Sequence, residues 1–209
     1  MDIVSSKRNL RGSITVPGSK SHTIRALLLA ALADGTSHIF NPLPSADCLS
    51  ASRAIPLIGA DFHSADSVWT VSGAGCRAHL PDDVVDVGNS GSLLYFLSPI
   101  AATFSGWSVF TGDESIRKRP VSHIVDALRQ LGCEAYVSRP DPDAPPLIIR
   151  GPLSKRKVIT DGSLSQYVSG MMMAASRLDD TLDITLTNPK ETPYLSMTRL
   201  WLEELGVKV

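Results

Sequence analysis

Three stretches of the chain would be apolar on nearly all sides if they were helical. They are Arg25 to Leu32, Ser92 to Ser98 and Tyr167 to Ala175, and a turn rich in glycine and serine precedes each. A helix that is apolar all round is buried rather than packed on a surface. The pattern therefore predicts three interior helices, each entered through a polar turn.

Each predicted interior helix is followed by a run rich in β-branched and apolar residues. The runs are Ser37 to Phe40, Trp107 to Phe110 and Leu182 to Leu186, and this composition is typical of strands. An amphipathic helix then closes each unit. The clearest is Val121 to Leu131, for which Pro120 is a suitable first residue.

Each amphipathic helix ends at a glycine, and Gly59, Gly132 and Gly206 recur at near-equal intervals. Glycine is the usual residue where a helix ends in a left-handed turn. With the strands that follow, the repeated order predicts three β-α-β-α-β-β units. We place them at about residues 13–75, 84–152 and 157–209, after an N-terminal strand or crossover segment at 1–12.

These units predict an α/β fold class in which buried helices are surrounded by outer sheets. In the third unit only Val207 to Val209 remains for the closing strands, so the last strand is missing. An unpaired strand edge is a liability in a complete domain. We therefore expect either a cut chain or a second domain that completes the sheet.

Composition excludes several partners without identifying one. The 209 residues are 43% hydrophobic and 20% charged, and the net charge of -1 provides no general attraction to nucleic acid or membranes. No signal peptide is visible, and no apolar run approaches the ~18 residues of a membrane span. Cys48, Cys76 and Cys133 have no metal-binding spacing. We expect a soluble cytoplasmic protein with reduced thiols and no metal.

The turn before the first interior helix is the most informative place for chemistry. Pro17 to Arg25 contains Gly-Ser-Lys-Ser between a predicted strand and a helix, but the glycine spacing of a P-loop is missing. A helix amino end favours anions. Lys20 and Arg25 therefore predict an anion site.

The equivalent turns carry further polar residues. Gly88 to Ser92 supplies backbone N–H groups and an Asn amide, and Asp161 to Tyr167 supplies hydroxyl and amide donors. The segment Thr111 to Pro120 holds three cations. Of these, Arg119 is restricted by the following proline and is a candidate clamp for an anion.

Taken together, these motifs resemble the EPSP synthase (5-enolpyruvylshikimate-3-phosphate synthase) family. The resemblance rests on the following segments, in chain order: Val16 to Ser21 with Arg25 to Leu27, Asn89 to Ser92, Gly112 to Pro120, Ser165 to Ser169, and Pro193-Tyr194. It runs from about Gly12 to Val209 and covers the first half of a family member.

The resemblance implies one lobe of an inside-out α/β barrel, with the C-terminal lobe absent. The family transfers the enolpyruvyl group of phosphoenolpyruvate to the 5-hydroxyl of shikimate 3-phosphate and releases phosphate, without a cofactor. The resemblance further implies that the partners are these small anionic substrates and the chain's own C-terminal lobe. We therefore expect the chain alone to be inactive.

The resemblance also implies roles for individual residues. Lys20 and Arg119 are the catalytic candidates, and Asp47 is expected to order Arg119. The substrate-binding candidates are Lys20, Ser21, Arg25, Asn89, Gly91, Ser92, Arg119, Ser165, Gln166 and Tyr194.

Three positions depart from the family pattern. Tyr95 stands where the family usually has an Arg, and Leu164 replaces a Ser. Glu191 stands near the position where the family often has a Ser that helps to bind phosphate. A carboxylate there would repel phosphate.

Two alternatives stay open. One is half of a UDP-N-acetylglucosamine enolpyruvyl transferase, which shares the fold. The other is a non-catalytic anion-binding domain. Gly18 to Ser21 and Ser165-Gln166 favour the shikimate enzyme.

Overall fold

The computed structural model of the chain describes residues 4, 9, 11–139 and 143–209. Its α-helices are α1 (Lys20–Leu32), α2 (Ala46–Ala54), α3 (Gly91–Ala101), α4 (Ser122–Gln130), α5 (Ser165–Ala175) and α6 (Thr192–Glu204). Its strands are β1 (Thr36–Phe40), β2 (Asp61–Ala65), β3 (Val68–Ser72), β4 (Val85–Asp86), β5 (Gly106–Thr111), β6 (Glu134–Val137), β7 (Leu147–Gly151), β8 (Lys157–Asp161) and β9 (Asp183–Thr187). Short 3-10 turns lie at Ile55–Ile58, Gly75–Arg77 and Ile116–Lys118.

The strands form three separate sheets, one for each predicted unit. The first has the order β1-β3-β2 and is antiparallel throughout. The second has the order β4-β5-β7-β6, in which β4 and β5 are parallel and the other pairs antiparallel. The third is the parallel pair β8-β9. The α/β class is therefore confirmed, and each predicted unit contributes one sheet.

Only the middle unit shows the full β-α-β-α-β-β order within the described residues. The strand predicted before the Gly-Ser-Lys-Ser turn does not form, and Ile14 and Val16 are 89% and 69% exposed. Val207 to Val209 is likewise outside any strand. Both predictions are wrong for the structure because an extended segment becomes a strand only when a neighbour takes its hydrogen bonds. The predicted segment 1–12 lies largely outside the described residues.

The interior helices α1, α3 and α5 form the core, as their apolar sequences predict. In the first turns of α3 and α5, the side chains of Ser92 and Gln166 are joined by a hydrogen bond. One turn further along, the two backbones are so close that a Cβ on Gly170 would lie 2.1 Å from the Tyr95 carbonyl oxygen. The two helices thus run side by side in the same direction. Arg25, in the second turn of α1, contacts Phe96 in α3 and Ser169 in α5. The three helices therefore meet at Arg25, within two turns of their amino ends.

The amphipathic helix α4 buries Ile124, Val125, Ala127 and Leu128 on one face, as predicted. It begins at Ser122, however, and not at Pro120. Cys48 and Cys133 are buried and Cys76 is exposed, and all three are free thiols. Burial raises the pKa of Cys133 to about 11. Within the described part of the chain, no helix has the length and hydropathy to cross a membrane.

Candidate functional site

Lys20 is the first residue of α1, where the helix amino end favours an anion. Ser19 caps the helix, since its hydroxyl accepts a hydrogen bond from the N–H of His22 at 3.4 Å. The Lys20 side chain is 48% exposed, and its Nζ lies 3.5 Å from Asp47 Oδ1. We expected Asp47 to order Arg119; the structure pairs it with Lys20, because the start of α2 packs beside the start of α1. A half-exposed pair of this length is weak and leaves Lys20 able to bind a ligand.

Arg25 is only 2% exposed and serves as a tie between helices. Its Nε donates to Thr198 Oγ1 at 2.8 Å, and its Nη2 donates to Ser169 Oγ at 3.2 Å and to the Tyr194 carbonyl oxygen at 3.3 Å. Nη1 donates to the Ser21 carbonyl oxygen at 3.0 Å, and the guanidinium lies 4.7 Å from the Phe96 ring centroid. Burial lowers the pKa of Arg25 to about 10. The candidates Ser21 and Tyr194 are thus held through their backbone carbonyls, while the Tyr194 side chain remains exposed.

The second turn is braced against the segment that carries Arg119. Asn89 Nδ2 donates to Asp113 Oδ2 at 2.7 Å, and Asp113 Oδ1 accepts from the N–H of Ile116 at 3.0 Å. The N–H of Ile116 and the amide of Asn89 hold the pKa of Asp113 below its usual range. The Asn89 amide therefore links the turn before α3 to the segment that carries Arg119.

Arg119 lies over the amino end of α3. Its backbone is extended, as a residue before proline requires, and a Cβ on Gly91 would stand 2.4 Å from Arg119 Nη1. Gly91 is therefore needed for this close approach. Within the described residues the guanidinium of Arg119 forms no hydrogen bond or salt bridge, so it is available to a ligand.

Tyr95 holds the backbone next to Arg119 in place. Its hydroxyl donates to the carbonyl oxygen of Pro120 at 2.7 Å, which fixes the chain directly after Arg119. Burial raises the pKa of Tyr95, so the hydroxyl keeps its proton and remains a donor. The departure at Tyr95 is thus compatible with an ordered Arg119.

The third turn joins the second through Gln166, whose Nε2 donates to Ser92 Oγ at 3.0 Å. Ser165 begins α5 and is buried. Its hydrogen-bond partner is Glu191, a contact that was not predicted from the sequence. The N–H and the hydroxyl of Ser165 both donate to Glu191 Oε2, at 3.2 and 2.8 Å. Leu164 precedes the helix and makes no side-chain cap.

The arrangement can bind anions through two cations at helix amino ends, Lys20 and Arg119. Sequence reasoning missed Thr198, Ser169 and Glu191 as partners. Ser169 and Thr198 could have been noticed as polar positions opposite an unpaired arginine. No group of three or more His, Cys, Asp or Glu within the described part of the chain is arranged to hold a metal ion.

Comparison with known proteins gives one consistent family. A model of the family described as EPSP synthase (3-phosphoshikimate 1-carboxyvinyltransferase) matches residues 4–209. A 3-phosphoshikimate 1-carboxyvinyltransferase of Acetivibrio thermocellus is 40% identical over 202 residues, which cover 97% of this chain and 48% of the relative. One from Methanococcus aeolicus is 40% identical over 214 residues, with coverage of 100% and 49%. The chain thus spans about half the length of these relatives.

A solved structure shows the same architecture. The EPSP synthase of Acinetobacter baumannii superposes with a TM-score of 0.77 at 27% identity, and the match covers 90% of this chain and 43% of that one.

Proposed function

The chain belongs to the EPSP synthase family, and from that premise we propose that it is the substrate-binding half of an enolpyruvyl transferase. The reaction joins the 5-hydroxyl oxygen of shikimate 3-phosphate to C2 of phosphoenolpyruvate. The bond from C2 to the phosphate oxygen breaks, and phosphate leaves with the hydroxyl proton in the overall balance. The partners are these two anions and a second lobe of the same enzyme.

The observation that carries the proposal is the placement of Arg119. Its guanidinium lies against Gly91 at the amino end of α3, half-buried and without a carboxylate partner in the described part of the chain. A cation held at a helix amino end suits a phosphate or carboxylate group. Phosphoenolpyruvate carries both groups, and we assign it to Asn89, Gly91, Ser92 and Arg119.

Lys20 is assigned to both substrates, because it begins the neighbouring helix α1 and is half-exposed. Lys20 and Arg119 would also stabilise the negative charge that builds on the departing phosphate. Ser21, Ser165, Gln166 and Tyr194 are assigned to the acceptor. Arg25 supports Ser21 and Tyr194, because its own donors are already bonded within the protein.

The test is a calorimetric titration of the chain with shikimate 3-phosphate and phosphoenolpyruvate, with UDP-N-acetylglucosamine as the competing acceptor. We expect saturable binding of shikimate 3-phosphate that weakens by about tenfold or more in Lys20→Ala. Lys157→Ala removes a lysine that is 86% exposed on β8 and should leave binding unchanged. Saturable binding of UDP-N-acetylglucosamine instead would assign the chain to the sister reaction and overturn the proposal.

A further inference from the structure

The amino end of α5 already holds a carboxylate, and that carboxylate belongs to the protein. Glu191 Oε2 accepts from the hydroxyl of Ser165 at 2.8 Å and from its N–H at 3.2 Å. Ser165 is 1% exposed, whereas Glu191 is an exposed residue, so its carboxylate reaches these donors from the surface. The donors of Ser165 are therefore satisfied by a carboxylate of the protein itself.

Glu191 is positioned for this contact by an uncommon backbone conformation. Its φ of 51° and ψ of 30° lie in the left-handed region, where residues other than glycine are rare. It stands at the cap position of α6, yet its side chain makes no bond to that helix. The carboxylate instead caps α5, whose own cap residue, Leu164, has no polar side chain.

An anionic ligand at this corner would need the donors that Glu191 occupies. Two negative groups that shared the N–H and hydroxyl of Ser165 would repel each other. A phosphate dianion would have to displace Glu191, whereas a neutral hydroxyl could bind beside it and donate to its free oxygen. The corner therefore discriminates by charge.

We propose that Glu191 is a specificity-determining residue, whose carboxylate competes with a dianionic acceptor group for the donors of Ser165. The inference rests on the proposed function, in which the acceptor lies at Ser165 and Gln166. It adds that the phosphorylated acceptor gains little from its phosphate over the same molecule with a free hydroxyl.

The experiment compares shikimate 3-phosphate with shikimate in the chain and in Glu191→Gln. Glutamine keeps the shape and one acceptor oxygen but removes the charge. We expect the unaltered chain to prefer shikimate 3-phosphate by less than tenfold, and Glu191→Gln to increase this preference by about tenfold. Glu204→Gln removes a carboxylate at the far end of α6 and should change nothing. Glu191→Asn is the second variant, because asparagine tolerates the left-handed conformation if Gln unfolds the turn.

Inorganic phosphate, followed at the Ser165 amide by NMR, separates this inference from the proposed function. If neither acceptor binds but phosphate shifts that amide at a lower concentration in Glu191→Gln than in the unaltered chain, the acceptor is wrong and the role of Glu191 stands. If the variants leave both the acceptor preference and the phosphate response unchanged, Glu191 does not compete with anions and the inference is overturned.

Discussion

At the scale of single residues, Gly91 and Arg119 depend on each other. A Cβ at Gly91 would stand 2.4 Å from Arg119 Nη1 and 2.9 Å from its Cζ, well inside contact distance. Gly91→Ala should therefore push the guanidinium off the amino end of α3 with little loss of stability, since a flexible side chain can move. We expect phosphoenolpyruvate binding to weaken by about tenfold, which corresponds to ~1.4 kcal/mol in a calorimetric titration.

The matched control is the same substitution in an Arg119→Ala background. If Gly91→Ala acts by displacing Arg119, it should have almost no further effect once that side chain is removed, because effects that share one cause are not additive. An equal loss in both backgrounds would show that the added methyl group acts on the ligand directly.

The helix-capping serines have a local sequence signal, whereas the charge partners have none. Ser19 and Ser90 each follow a polar turn and precede an apolar run, which is a local signal, and both cap their helices. Lys20 and Asp47 are 27 residues apart, and Ser165 and Glu191 are 26 apart. Such pairs depend on how whole elements pack, so neither the contact of Asp47 with Lys20 nor that of Glu191 with Ser165 was foreseen.

At the scale of elements, α1, α3 and α5 were predictable because an apolar surface on all sides leaves burial as the only favourable outcome. The one buried charge within this set, Arg25, was predicted to contact the ligand. A buried guanidinium requires partners, and α5 and α6 supply them through Ser169 and Thr198. Those partners come from helices far along the chain, which the local pattern around Arg25 could not reveal.

Thr198 is the central residue of the hydrogen bonds that link α1, α5 and α6. It is fully buried, accepts from Arg25 Nε, and lies 2.9 Å from Ser169 Oγ. Thr198→Val keeps the shape and leaves Arg25 Nε without its acceptor. We expect the free energy of unfolding in urea to fall by about 1–3 kcal/mol.

Thr192→Val provides the comparison, because Thr192 begins the same helix with an exposed side chain. It should change the free energy of unfolding by less than about 0.5 kcal/mol. Equal effects of the two substitutions would mean that the buried hydroxyl contributes nothing beyond the β-branched shape.

The strand predictions failed where a strand would need a distant neighbour. Ser13 to Val16 alternates as a strand does, but in the structure its apolar side chains are exposed. The edge of β1 away from β3 has no partner within the described residues, whereas the equivalent strand β5 is paired on both sides. Alternation shows what a segment can form, while pairing decides whether it does.

At the scale of the whole molecule, the repeated units bring together polar turns that are far apart in sequence, and the proposed site uses them. Each unit contributes an interior helix, and the contacts of Arg25 and Gln166 bring their amino ends together. In the proposed site, the partial positive charges of several helix ends and the cations Lys20 and Arg119 would act on the same ligand. The order of helices and strands could be predicted from the sequence, whereas the contacts between the polar turns could not.

Because the chain spans about half the length of its relatives, catalysis should require the other half. A half-site open to solvent neither excludes water nor closes on its substrates. We expect no phosphate release from phosphoenolpyruvate and shikimate 3-phosphate by the 209-residue chain alone. Release should appear when the separately produced C-terminal half of the Acetivibrio thermocellus relative is added. It should then be lost with Lys20→Ala and kept with Lys157→Ala. Turnover by the chain alone, at a rate that Lys20→Ala abolishes, would show instead that these residues form a complete catalytic site.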